Sequence, residues 1–139
     1  MMPSVKPKLM RDADGVAVVV QEGESCNVTS TFTDLDGNAL NKLALITLTA
    51  TLYDWATSAV INSRNAQDVL DANNGTLTSQ GVLTLRLGPS DNAIVGTPSS
   101  GAIELHCLVL KWTFNDGVAT RTGESEPLGI QVQNIPAVA

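Results

Sequence analysis

Residues 43–54 constrain the fold more than any other stretch. Ala44, Ile46, Leu48, Ala50 and Leu52 share one parity, and Thr47, Thr49, Thr51 and Tyr53 share the other. A period of two over this length predicts a half-buried β-strand, because successive side chains point to opposite faces of a pleated ribbon. Threonine suits the wet face, since its branched Cβ packs well on a sheet and loses χ1 freedom in a helix. The stretch is expected to be the central strand, apolar face inward.

The same period recurs along the chain. Residues 16–20 form a short apolar run, and 25–33 alternate with Cys26, Val28, Ser30 and Phe32 on one side. Leu83, Leu85 and Leu87 share a face in 81–87, as do Leu108, Leu110, Trp112 and Phe114 in 102–114, and Leu128, Ile130 and Val132 in 128–132. Residues 59–62 and 118–122 read as the return arms of hairpins, and 92–95 as a short edge strand. Turn chemistry separates these runs: 21–24, 34–38, 55–58, 88–91 and the Asn115-Asp-Gly117 hairpin signal. Residues 65–72 break the pattern. Val69 and Leu70 lie three and four positions beyond Ala66, and Asn65 can cap, which predicts one or two helical turns stopped at residues 73–75. Seven or eight short strands with turns at roughly ten-residue spacing predict an all-β fold, an immunoglobulin-like antiparallel β-sandwich with one short helix.

The 139 residues are enough for one domain with a real core. The expected organisation is an extended N-terminal arm over 1–14, the sandwich over 15–135 and a loose tail over 136–139. Pro3 and Pro7 disfavour helix in the arm. Net charge is −6, which argues against nucleic-acid binding, yet Lys6, Lys8 and Arg11 place three of the eight basic residues in the arm. A short basic leader thus precedes an acidic body. Residues 1–15 contain no apolar signal core, and no run of about twenty apolar residues exists to span a membrane.

The chemistry-bearing residues form no familiar constellation. Cys26 and Cys107 fall on strands that a disulfide joins in antibody domains, but the parity that turns Trp112 and Phe114 inward turns Cys107 outward, so free thiols are expected. Asp34, Asp36 and Asn38 have the spacing that opens a calcium loop, without its distal glutamate, and read as a turn. His106 is the only histidine. Its one near potential zinc ligand, Cys107, points the other way along a strand, and a surface or interface position is expected. Glu124 and Glu126 read as solvated loop charge, and the triplets starting at Asn27 and Asn74 match a glycosylation signal that needs a secretory context. No Gly-x-Ser-x-Gly elbow, P-loop or dinucleotide fingerprint is present. The expectation is a non-enzyme with no catalytic, cofactor or metal residues. Trp55, at a turn, is the one aromatic placed to meet a sugar ring.

Several segments, in order, carry a resemblance: Phe32-Thr-Asp-Leu-Asp-Gly37, Ala50-Thr-Leu-Tyr-Asp54, Val60-Ile-Asn-Ser-Arg64 with Gln67-Asp-Val-Leu70, Gly81-Val-Leu-Thr-Leu85, Asp91-Asn-Ala-Ile-Val95, residues 104–114, and Gln131-Val-Gln-Asn134. Together they resemble small immunoglobulin-like structural proteins of tailed bacteriophages, over most of the chain. The resemblance implies a virion component, made in the bacterial cytoplasm, that decorates or cements the capsid or joins head to tail. Its implied partners are the major capsid protein and copies of itself, with Lys6, Lys8, Arg11 and Trp55 as candidate contacts. Weak glycan or cell-surface binding is the alternative.

Overall fold

A computed structural model describes residues 8–9, 18–33, 37–96, 102–115 and 117–134. Ten strands run β1 (Lys8–Leu9), β2 (Val19–Gln21), β3 (Cys26–Thr31), β4 (Leu45–Asp54), β5 (Gln67–Asp68), β6 (Gly75–Leu77), β7 (Val82–Leu87), β8 (Ile103–Asn115), β9 (Thr120–Glu124) and β10 (Leu128–Gln133). They make two sheets. One has the order β5-β4-β8-β10, with β1 and β2 on the far edge of β10 and β9 folded back on β8. The other is β3-β7-β6. Two sheets facing each other over one apolar layer make the expected all-β sandwich. The antiparallel expectation holds except at one edge, where β1 and β2 run parallel to β10.

β4 and β8 form the longest ladder, from Leu45 opposite Phe114 to Asp54 opposite His106. Leu48, Ala50, Leu52, Leu108 and Leu110 are fully buried on its inner face. They meet Val28, Leu83, Leu85 and Leu87 of the smaller sheet, with Ile130 and Val132 of β10 alongside. Each buried Leu, Ile or Val contributes on the order of 1.5–3 kcal/mol relative to exposure, so this apolar layer is what holds the sheets face to face. Trp112 also turns inward and meets Phe32 edge-on, with ring centroids 4.8 Å apart.

Several sequence expectations need correction. The register shifts between Leu45 and Thr47. An extra residue at a bulge reverses parity, so Leu45 is buried and Ile46, expected inside, is half exposed. Residues 65–72 are not helical. Ala66 and Asp71 have φ of 50° and 52°, and the backbone of Gln67 and Asp68 pairs with β4 at Thr49–Ala50 instead. Isolated left-handed residues cannot continue a right-handed helix. Among the described residues the one short helix is a 3-10 turn at Lys42–Ala44, capped by Asn41, whose Oδ1 accepts from the Leu43 amide at 2.9 Å. Residues 92–95 form no strand, and Glu124 ends β9 rather than lying in a loop. Asp34 and Asp36 of the calcium-like turn, Lys6 and Arg11 of the arm, and the tail lie outside the described residues. Among the described residues no helix is long and apolar enough to cross a membrane.

Candidate functional site

Alternation places polar residues on the inner face at one end of the β4–β8 ladder. The even positions of β8 point inward, so Glu104 and His106 follow Leu108 and Leu110 onto the buried side. Asp54 continues the Leu48, Ala50, Leu52 face of β4 and lies directly opposite His106. Exposures are 2% for Asp54, 8% for Glu104 and 0% for His106. The histidine is thus buried inside the sandwich, where the sequence predicts a surface or interface position.

Each group has an anchor. His106 Nε2 and Glu104 Oε1 are 2.6 Å apart. Glu104 also accepts from the Val95 amide on Oε1 at 2.9 Å and from the Gly96 amide on Oε2 at 2.8 Å. Burial pushes the Glu104 carboxyl up, but the Val95 amide, the His106 ring and the Gly96 amide outweigh it and hold it below its ordinary range. Asp54 Oδ2 accepts from the Thr57 amide at 3.1 Å and from Thr57 Oγ1 at 2.7 Å, which ties it to the turn at the strand end. One ligand atom from each of the three side chains lies within 4.8 Å of the others. His106 Nδ1 is buried with no hydrogen-bond partner among the described residues.

A cleft of about 490 Å³ opens beside this cluster, lined by Asp54, Trp55, Ala56, Thr57, Gly96, Ile103, Glu104 and Leu105. Trp55, singled out from its turn position, therefore shares a concave surface with two carboxylates and apolar walls. The backbone of Lys8 pairs opposite Leu128 on the β10 edge. What the sequence reading missed, Asp54 and Glu104 beside His106, was signalled by parity alone.

A second polar anchor holds the same crossover segment. Arg64 donates to Asp91 from Nε at 2.6 Å and from the guanidinium tip at 3.1 Å. Asn62 and the Gly88 amide donate to the same carboxylate. Segment 88–96, which carries the chain from the smaller sheet to the larger, is thus pinned at Asp91 and again at Val95 and Gly96.

Both cysteines are free. Cys107 points away from the interior, as its parity requires, and is covered on the outer face beside Tyr53. Burial, opposed by a hydrogen bond with Tyr53, pushes its thiol up to about 11. Fold and site together define an all-β, two-sheet sandwich with a buried acid–imidazole cluster beside an open cleft. No protein-family model matches the chain, and no curated protein matches it.

Proposed function

We propose that the chain is a non-enzymatic structural protein of a tailed-phage virion that decorates or cements the outer capsid surface, with the major capsid protein and further copies of itself as partners. The observation that carries this reading lies at the end of the β4–β8 ladder away from the cleft. There Leu43 is 92% exposed, Val118 90% and Ile46 50%. Single exposed apolar residues are ordinary, but two that are almost fully exposed, with Ile46 near them in the ladder, support a contact surface at this end. The ordered resemblance to small immunoglobulin-like phage proteins points to a capsid as the thing contacted. The basic arm, with Lys6, Lys8 and Arg11, would complement an acidic partner surface.

Purified protein added to particles that lack it tests the reading. Saturable co-sedimentation and greater resistance of the particles to heat or osmotic shock are expected. The double variant Leu43→Asp, Val118→Asp should abolish binding while leaving the unfolding midpoint nearly unchanged. Failure of the unmodified protein to bind, or full binding by the double variant, would overturn it.

The cleft favours a second reading, glycan or cell-surface binding. An aromatic ring beside carboxylates supplies a stacking face and hydroxyl acceptors for a sugar. Glycan binding lost on Trp55→Ala would support this reading.

A further inference from the structure

Two buried carboxylates, both lining the cleft, stand beside one buried imidazole that among the described residues bonds only to Glu104, and the formal charge does not balance. Among the described residues His106 is the only basic group on Glu104, and Asp54 is met by the Thr57 amide and hydroxyl. Even a protonated imidazole would leave one negative charge uncompensated in a site that is almost wholly buried. Buried charge is costly unless it is paired or coordinates a metal. The Arg64 guanidinium, the nearest model of how this fold neutralises a buried acid, is committed to Asp91. A second observation is independent of the charge count. The imidazole is fully buried and Glu104 holds it at Nε2 alone: among the described residues Nδ1 has no partner, so no second hydrogen bond holds the ring against the turn that loading requires.

We propose that Asp54, Glu104 and His106 form a mononuclear site for a first-row divalent cation of the zinc or manganese class. One imidazole and two carboxylates suit those ions, and a cleft at the site leaves room for water or another oxygen donor to complete the coordination. Tetrahedral zinc asks for ligand atoms about 3.3 Å apart. The three side chains already offer atoms within 4.8 Å of one another. Loading therefore requires Glu104 and His106 to part slightly from 2.6 Å and Asp54 to approach, all by side-chain rotation. The bound ion would join the end of β4 and the start of β8 to the segment at Val95–Gly96, which Glu104 now holds by two hydrogen bonds. The site stands apart from capsid binding, since the apolar end bearing Leu43 and Val118 lies at the other end of the ladder.

A single histidine makes the test direct. Long-range nitrogen–proton NMR of the unmodified protein reports only on His106. On addition of Zn²⁺ its ring resonances should move to those of a metal-bound imidazole. The thermal midpoint should rise, and EDTA should reverse both changes. Mn²⁺ should broaden the same ring signals. Losing even an outer partner of a metal ligand costs roughly 10–100-fold in affinity, so Asp54→Asn should weaken Zn²⁺ binding at least tenfold. Because His106→Gln removes a buried side chain and can fail to fold, the spectrum of the unmodified protein decides. Unchanged imidazole signals at millimolar Zn²⁺ and Mn²⁺ overturn the proposal, whether or not the midpoint moves, because binding would then lie elsewhere. Unaltered affinity in a folded Asp54→Asn variant overturns it equally.

Discussion

Arg64 and Asp91 form a two-pronged ion pair inside the protein, with side-chain exposures of 4% and 2%. Arg64 lies just after the β4 hairpin, and Asp91 lies in the crossover between the two sheets. The guanidinium also donates to Gln67 and to the Asn73 carbonyl. A single planar fork thereby fixes three loops that no ladder connects. Removing one partner strands a buried charge, which typically costs about 3–5 kcal/mol. Asp91→Ala should lower stability by that order in urea unfolding. Replacing both residues with apolar ones of similar size should cost clearly less than the two single changes summed.

Acid stability should report on the same pair. Burial raises the Asp91 carboxyl, but Arg64, Asn62 and the Gly88 amide outweigh burial and hold it below its ordinary value. Between the native and unfolded titrations the unfolded chain binds more protons, so stability rises with pH there. The contribution is complete above the unfolded carboxylate range and is lost as pH falls through the depressed native value. Unfolding midpoints measured downward from pH 5 should fall less steeply in Asp91→Asn than in the unmodified protein. Equal slopes would contradict this assignment.

Gly123 lies opposite Trp112 across the β8–β9 ladder. A Cβ built there would sit 2.2 Å from the indole Cε2, so the indole can occupy its place only because residue 123 has no side chain. Gly123→Ala must displace the ring from its edge contact with Phe32. Overpacking of this kind costs about 1–3 kcal/mol, and the near-ultraviolet dichroism of the tryptophans should change with it. An unaltered near-ultraviolet spectrum would contradict the packing.

The thiols should differ sharply. Cys26 is partly exposed, whereas Cys107 has no exposed surface. A thiol reagent should modify Cys26 first in the native state and reach Cys107 only on unfolding. Two alkylations should appear in denaturant without any reductant. A single mass unaffected by alkylation would show a disulfide and contradict the parity of β8.

The strand layout was legible because alternation survives in 45–54, 82–87, 103–115 and 128–133, where one face must be dry. Cys107 was placed correctly by the same rule. That rule also turned His106 inward, but a lone imidazole on an apolar face was expected at the surface because polar groups seldom lie buried without partners. Its cross-strand neighbour Asp54 lies fifty-two positions away in sequence, opposite it through a strand register that no local pattern records. Glu104 was two residues distant and on the same face, which was the available signal. The helix expected at 65–72 failed for a different reason. Its apolar spacing is real, since Val69 is fully buried, but that burial is achieved by left-handed kinks at Ala66 and Asp71 that the residue types do not announce. The bulge beside Ile46 is equally silent, because an inserted residue changes parity without changing composition.

Copy number per particle tests the functional account most directly. Quantitative mass spectrometry of purified virions, with the major capsid protein as internal standard, gives it. The decoration reading predicts many copies in a fixed ratio to the capsid subunit, as repeated surface sites require. A complement of only about six or twelve copies would place the protein in a ring at the neck or tail, and its absence from the particle would contradict the account outright.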